Sequence, residues 1–206
     1  MSDTHFLVTG AAGKTGAAVV EQLAAQGQSV RAMVRQLDER SARLESLGAE
    51  VVIGDLHDLA SIRSAVKDVN RVYFVYPPQG NRLLEATTIM AKAAADADVE
   101  VIVNMSQISA REGAPSALTQ QHWLAERVLD WAPSGAVHIA ANYFAENLHM
   151  FGAGTIPTEG KLYLPYGDEK HAPVTAEDLA RVITAILLDP AEHLGQRYEI
   201  TGPENM

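Results

Sequence analysis

Three glycines at a spacing of three, Gly10, Gly13 and Gly16, stand between the apolar run His5-Phe6-Leu7-Val8-Thr9 and a helical pattern that opens at Ala17. A strand that turns through glycines into a helix leaves backbone N–H groups pointing out of the helix start, where the macrodipole also favours an anion. A pyrophosphate fits such a place. Gly10 would allow the tight turn, Gly13 would let a diphosphate approach the backbone, and Gly16 would bring the helix against the strand. The spacing is G-x-x-G-x-x-G and not G-x-G-x-x-G, because position 12 is Ala12; the candidate loop is Gly10, Ala12, Gly13, Lys14, Thr15 and Gly16. Glycines collect in surface turns for backbone reasons alone, so it is the position between strand and helix that makes this triplet specific.

The end of the second apolar run bears on which dinucleotide would bind. It reads Met33-Val34-Arg35, where an NAD site carries an acid for the ribose 2′-hydroxyl and an NADP site a cation for the 2′-phosphate. Arg35 is that cation, Lys14 a second and Arg40 a weaker third; Asp38 keeps NAD open as the alternative. NADP(H) is the expected cofactor. The third run ends Ile53-Gly54-Asp55-Leu56, a position that overhangs the adenine in such folds, where the Asp55 carboxylate would accept from the amino group. The alternative for Asp55 is an N-cap of the helix near Asp58.

Ligands of open α/β sheets sit beyond the carboxyl ends of the strands. Tyr76, Pro77 and Pro78 follow the fourth run, Asn104, Met105 and Ser106 end the fifth, and Asn142, Tyr143 and Phe144 end the sixth. Tyr76, Pro77, Asn104 and Asn142 are the further cofactor candidates. Ser106 would donate to a carbonyl, against the commoner role of a turn-capping serine. Tyr143 and Phe144 offer flat apolar surface for an aromatic acceptor, against ordinary core packing.

Those residues need a scaffold, and the hydrophobic periodicity supplies one. Strands are expected at 5–9, 29–34, 50–53, 71–75, 99–104 and 136–141, and helices at about 14–26, 38–48, 58–67, 80–97 and 116–132. Such alternation means a parallel sheet covered on both faces, and the favoured topology is a doubly wound α/β Rossmann sheet. The pattern changes after Asn142. A Gly/Pro-rich passage from Gly152 to Gly167 leads to a helix with Leu179, Val182, Ile183, Ile186 and Leu187 on one stripe, started by Thr175 with Asp178 and ended by Pro190. Residues 196–201 alternate like a half-buried strand. Residues 1–142 are expected to form an NADP-binding core, with 143–206 a small C-terminal substrate-side subdomain packed on it as one compact unit. Trp123 and Trp131 read as core or interface residues.

Composition sets outer bounds. The 206 residues are 47% hydrophobic, enough for one ordinary domain with a core of both strands and helices. No cysteine is present, which removes disulfides, thiolate catalysis and Cys-ligated metal, and no metal site is expected. A formal net charge of −10 argues against direct nucleic-acid binding. With no run long enough to span a membrane and no signal-like start, the chain is expected in the cytoplasm.

Thr9-Gly10-Ala11-Ala12-Gly13-Lys14-Thr15-Gly16, Val34-Arg35, Gly54-Asp55-Leu56 and Asn142-Tyr143-Phe144-Ala145-Glu146-Asn147 resemble the NmrA-like branch of atypical short-chain dehydrogenase/reductases. So do Val174-Thr175-Ala176-Glu177-Asp178-Leu179-Ala180 and Tyr198-Glu199-Ile200-Thr201-Gly202-Pro203-Glu204, so the resemblance covers essentially the whole chain. It implies NADPH-dependent quinone reductases, reductases of dyes and aromatic substrates, or catalytically silent NADP-binding regulators. Fold and cofactor class transfer better than chemistry.

Two departures matter. The wider superfamily places Tyr-x-x-x-Lys on the helix after the fifth strand, a pair on one helix face that moves the proton. Here those positions are Leu118 and His122. A literal Tyr166-Gly167-Asp168-Glu169-Lys170 occurs, but its Gly-Asp centre reads as a turn. Relatives resembling quinone reductases also lack the tyrosine and pass hydride directly to the acceptor. His122 would orient an acceptor carbonyl or deliver a proton near neutral pH, or else be a structural helix histidine. The second departure is length, since family members continue past Thr-Gly-Pro-Glu. The pocket is then open, or closed by a second subunit of a homodimer, or the chain is shorter than its parent. The expected function is an NADPH-dependent reductase passing hydride directly to a quinone-like or aromatic small molecule, with His122, Tyr143 and Ser106 as catalytic candidates. The alternative is a silent NADP-binding redox sensor acting through a protein partner.

Overall fold

Runs of Val, Ile and Ala that are apolar at every position are stable only where both faces of the sheet are covered, and this is how they pack. A computed structural model describes residues 4–77, 81–164 and 170–205. Pro78, the first three residues and residues 166–169 of the literal Tyr-x-x-x-Lys run lie outside the described residues. The strands are β1 (His5–Val8), β2 (Ser29–Val34), β3 (Glu50–Ile53), β4 (Arg71–Phe74), β5 (Val101–Gln107), β6 (Gly135–Ala141) and β7 (Arg197–Ile200). They form one seven-stranded sheet in the order β3-β2-β1-β4-β5-β6-β7, every pairing parallel. This is the doubly wound Rossmann arrangement, with its topological switch point between β1 and β4. Thr9 closes the gap there: its hydroxyl donates to the Val75 carbonyl at 3.2 Å and accepts the Val75 N–H at 2.9 Å.

The helices are α1 (Lys14–Ala25), α2 (Glu39–Ser46), α3 (Leu59–Val66), α4 (Leu83–Asp96), α5 (Ala117–Trp131), α6 (Glu146–Gly152), α7 (Ile156–Glu159) and α8 (Ala176–Leu188). Alternate residues of each strand feed two separate cores. Phe6, Val8, Tyr73, Val101, Val103, Val137 and Ile139 pack with Val19, Val20 and Leu23 of α1, Leu44 of α2 and Leu179, Ile183 and Leu187 of α8. Leu7, Val72, Phe74 and Ile102 pack on the other side with Ile62 of α3, Met90 of α4 and Leu129 of α5.

The expected elements are present with shifted ends. β5 runs on through Met105, Ser106 and Gln107, which pair with Ile139, Ala140 and Ala141. Polar side chains there suggest a strand end in the sequence, but Ser106 has a polar partner beneath α5. Two short helices follow β6 where no hydrophobic period announces them, α6 just before the Gly/Pro-rich passage and α7 within it. Both α8 and β7 lie beyond residue 142, yet α8 covers α1 and β7 pairs with β6 at the sheet edge. Thr175 caps α8 as its spacing with Asp178 suggests, accepting the Asp178 N–H at 3.0 Å. Trp131, 77% exposed, is no core residue. Trp123 is half-buried with the Arg127 guanidinium 5.9 Å from its ring centre. Among the described residues no helix is long and apolar enough to cross a membrane.

One contact sets how α1 meets the sheet. A Cβ at Gly16 would overlap the Gly10 carbonyl oxygen and lie 2.8 Å from the Gly10 carbonyl carbon and 2.9 Å from Ala11 Cα. Gly16→Ala should therefore lower stability by about 1–3 kcal/mol, the usual range for overpacking. Gly154→Ala, whose Cβ would meet nothing within 4 Å, should stay within about 0.5 kcal/mol of the parent. Urea unfolding of the two variants checks this.

Candidate functional site

The glycine turn opens onto the carboxyl ends of the strands. Gly10 adopts the left-handed region at φ 55°, which lets its carbonyl accept the Gly13 N–H at 2.8 Å. Gly13 is the N-cap of α1 and supplies no capping side chain, and no acidic residue occupies the first turn. The N–H groups of Lys14, Thr15 and Gly16 consequently have no acceptor among the described residues. Three unpaired donors at the positive end of a helix are suited to an anion. A Cβ at the exposed Gly13 would approach one protein atom, the Gly10 carbonyl oxygen, at 3.0 Å.

Its neighbours differ in how they face this opening. The Thr15 hydroxyl points inward, 2.8 Å from the buried Tyr73 hydroxyl, so that Thr15 presents only its backbone outward. Burial pushes the Tyr73 hydroxyl above the ordinary tyrosine range, with the Thr15 hydrogen bond opposing, and it stays neutral. Lys14 is exposed and its Nζ donates to Asn147 Oδ1 at 3.1 Å, across the crevice from β1 to the start of α6. Ala12, Gly13 and Lys14 also border a cleft of about 490 Å³ between α1 and α2, with Arg40, Arg43 and Leu44 opposite. A second cleft, of about 400 Å³, lies at the amino ends of β4 and β5 beside Arg63 and Lys67, away from every candidate residue.

The ends of β2 and β3 sort their charges clearly. Asp38 is the N-cap of α2: its Oδ1 accepts the N–H groups of Arg40 and Ser41 at 2.9 and 3.1 Å, while Ser41 Oγ accepts the Asp38 N–H at 2.8 Å. Its Oδ2 takes both Nε and Nη2 of Arg40, at 3.0 and 2.6 Å. The Arg40 side chain, followed by the Ser41 N–H, holds the Asp38 carboxyl below its usual range. Both oxygens are thus occupied, and Arg40 is occupied with them. Arg35 is exposed and has no hydrogen bond or ion pair among the described residues. The Asp55 carboxyl is lowered chiefly by the His57 N–H, which it accepts at 2.9 Å, with the charges of His57 and Arg35 adding to this. The N-cap of α3 is Asp58, which accepts the Ala60 N–H at 2.9 Å; the capping alternative for Asp55 does not hold. Leu56 is half-buried against the α3 side. Tyr76 is buried, its hydroxyl 3.1 Å from His57 Nε2 and accepting the Arg82 N–H at 3.3 Å, whereas Pro77 is exposed.

Beneath α5 the sheet surface is polar. Asn104 Nδ2 meets His138 Nδ1 at 3.1 Å, and His138 Nε2 meets Asp130 Oδ1 at 3.0 Å. Ser106 Oγ donates to Glu126 Oε1 at 2.5 Å, both groups buried. Ser106 therefore does not have its proton available for an acceptor carbonyl. Arg197 of β7 reaches Glu126 Oε1 with Nε at 3.3 Å and the carbonyls of Gln107 and Ile108 with Nη2 at 3.2 and 3.4 Å. Leu118 and His122, the two positions read from the sequence for the superfamily pair, both lie on α5 and are half-buried. Burial lowers the His122 imidazole to about 4, so it is neutral near pH 7 and does not serve there as an imidazolium acid. Asn142 accepts the Tyr143 N–H at 2.8 Å and donates to the Ala172 carbonyl at 3.0 Å. Tyr143 stacks on Phe151 at a centroid distance of 6.0 Å, and Phe144 bridges to Val174. Glu146 Oε1 accepts the Ala176 N–H at 2.8 Å and so helps start α8. The roles of Glu126, His138, Asn147 and Arg197 had no local sequence signal, because each acts on a residue at least 8 positions away on another element. Among the described residues no group of three or more potential ligands could hold a metal ion.

The His122 depression carries a pH dependence. A folded-state value near 4 against about 6.5 unfolded means the unfolded chain binds more protons between them, so this stability is present above about pH 6.5 and lost as pH falls through 4. The urea midpoint of the parent should drop across that window, and the drop should be shallower in His122→Gln. Identical slopes in parent and variant would show that burial does not hold the ring neutral.

The chain is 30% identical over 202 residues to the NAD(P)H azoreductase of Xenophilus azovorans, spanning 97% of this chain and 68% of that one. It superposes with a TM-score of 0.86 and 24% identity on an NADPH-dependent quinone oxidoreductase of Escherichia coli solved with NADPH, covering 97% of this chain and 70% of the other. A triphenylmethane reductase of Citrobacter sp., solved with NADP(H), gives a TM-score of 0.86 at 23% identity, with 98% and 71% covered. The family model for the NmrA-like family matches residues 2–206, and the chain belongs to that family.

Proposed function

We propose that this chain binds NADPH along the carboxyl ends of its strands and reduces a quinone-like or related aromatic acceptor without an enzymic proton donor. The observation that carries the reading is the state of three groups, two on α5 and one at the end of β5, that would stand beside an acceptor. Leu118 has no proton to give, His122 is a neutral imidazole, and the Ser106 proton is held by Glu126. Acceptors that need a proton during the reaction are poorly served by such a site. A quinone or a comparable conjugated ring is served better, because its reduced form is a stabilised anion that water protonates afterwards. The names of the azoreductase, quinone oxidoreductase and triphenylmethane reductase support an acceptor of this conjugated class.

The residues present suit the cofactor. The free N–H groups of Lys14, Thr15 and Gly16, with Gly10, Ala12 and Gly13 leaving the approach clear, would hold the pyrophosphate. Arg35, helped by Lys14, would pair with the 2′-phosphate, while Asp38 is closed to a ribose hydroxyl by its cap and by Arg40. Asp55, Leu56, Tyr76 and Pro77 would border the adenine half, and Asn104 and Asn142 the other. Bound there, the nicotinamide supplies hydride to the acceptor. Tyr143 and Phe144 would contribute the apolar wall against which an aromatic ring lies.

NADPH should bind more tightly than NADH, since each charge-assisted hydrogen bond to the 2′-phosphate contributes on the order of 1.5–3 kcal/mol. Arg35→Ala should erase most of that preference in calorimetric titrations; equal affinities in the parent chain would remove Arg35 from the site. Followed at the nicotinamide absorbance band, NADPH oxidation should be measurable with quinones and negligible with simple ketones, which lack the roughly 10²–10⁴-fold contribution of general acid catalysis. Efficient ketone reduction would reveal an acid beside the nicotinamide, with Tyr143 the first residue to replace. Tight NADPH binding with no turnover of any acceptor would favour the regulator.

A further inference from the structure

The network beneath α5 determines which way the Ser106 hydroxyl can interact. Ser106 stands one residue from the carboxyl end of β5 and retains 4% exposure. Its proton goes to Glu126 Oε1 at 2.5 Å. Glu126 is 1% exposed, and its two oxygens face Arg197 Nε at 3.3 Å and Arg127 Nη2 at 3.5 Å. A carboxylate between two guanidiniums accepts hydrogen bonds, so the hydroxyl beside it must donate. A serine hydroxyl has one proton and two lone pairs. With the proton directed inward, lone pairs alone remain for a ligand. Turning the hydroxyl outward would leave the buried Glu126 oxygen without its shortest partner, a change that buried carboxylates resist. Arg197 also holds the Gln107 and Ile108 carbonyls, so the strand end that carries Ser106 is anchored on the same network.

We propose that Ser106 meets the acceptor substrate as a hydrogen-bond acceptor, that Glu126 is the positioning residue that imposes this polarity, and that the site favours aromatic acceptors bearing an N–H or O–H group. The proposal rests on the reductase reading above. It reverses the donor role that the sequence suggests for Ser106. The preference it creates is for the substituent on the ring, separate from the ring's capacity to take hydride.

The test has two parts, the first requiring no ligand. In proton NMR of the free protein the Ser106 hydroxyl should give a slowly exchanging downfield resonance, absent from Ser106→Ala and moved upfield in Glu126→Gln. Failure to find it in the parent overturns the polarity, whatever the chain's activity. The second part compares 2-amino-1,4-naphthoquinone with 2-methyl-1,4-naphthoquinone, the same ring with and without an N–H donor, as kcat/KM and as calorimetric affinity for the NADP-loaded protein. Ser106→Ala should lower the amino-to-methyl ratio about three- to tenfold, the worth of one hydrogen bond. An unchanged ratio, or a loss confined to the methyl compound, overturns the proposal, the latter because Ser106 would then be donating to a quinone carbonyl. If neither compound is reduced but the affinity ratio still falls in Ser106→Ala, the reductase reading fails while the polarity of Ser106 stands. Binding of neither compound overturns both.

Discussion

The first turn of α1 can lie against the β1 turn only because Gly16 has no side chain. Its missing Cβ is the space taken by the Gly10 carbonyl and Ala11, and the rest of the site follows from that contact. With α1 seated there, the N–H groups of its first turn point to the carboxyl edge of the sheet, and its far face meets α8. Tyr73 fixes the rotation of the turn from beneath through Thr15, and Lys14 reaches Asn147 on the other side of the crevice. The neighbouring Glu146 starts α8, which returns to cover α1. The chain after β6 is thereby part of what holds the glycine turn in place, although it is remote in sequence.

Charge pairing shapes the strand ends as well. At the end of β2 one acid and one base, Asp38 and Arg40, satisfy each other and the start of α2, leaving Arg35 exposed, its charge acting on Asp55. Beneath α5 the polar groups are likewise paired inward, Asn104 with His138 and Asp130, Ser106 with Glu126 and Arg197. Buried polar networks of this kind are rigid when fully satisfied. The carboxyl end of β5 is therefore furnished with groups whose protons are already taken, beneath a helix whose His122 imidazole is kept neutral by burial.

How much of this was legible in the sequence depends on the range of the interactions. The strands, α1 to α5, α8 and the glycine turn follow from local period and spacing, because a parallel strand buried on both faces is apolar throughout and a tight βα turn needs glycine at fixed offsets. Cap residues such as Thr175 and Asp58 are local as well. Asp38 was readable as an acid near the ribose position, but its two occupied oxygens were not, since the second depends on the Arg40 rotamer. Ser106 and His122 were found by their positions along the chain. Their protonation and polarity were hidden, because those depend on Glu126, Arg197 and the depth of burial beneath α5. The helices α6 and α7 lay in a passage without a hydrophobic stripe, and only packing shows them.

The central claim is that hydride leaves the cofactor for the acceptor with no proton moved by the protein in the same step. Single-turnover oxidation of NADPH by a quinone, with and without deuterium at the transferred position of C4 and in light and heavy water, tests it most directly. The account predicts slowing by the C4 label and no slowing by heavy water. Slowing by heavy water of the C4-sensitive step would show that a protein group delivers a proton in concert, and would contradict the account.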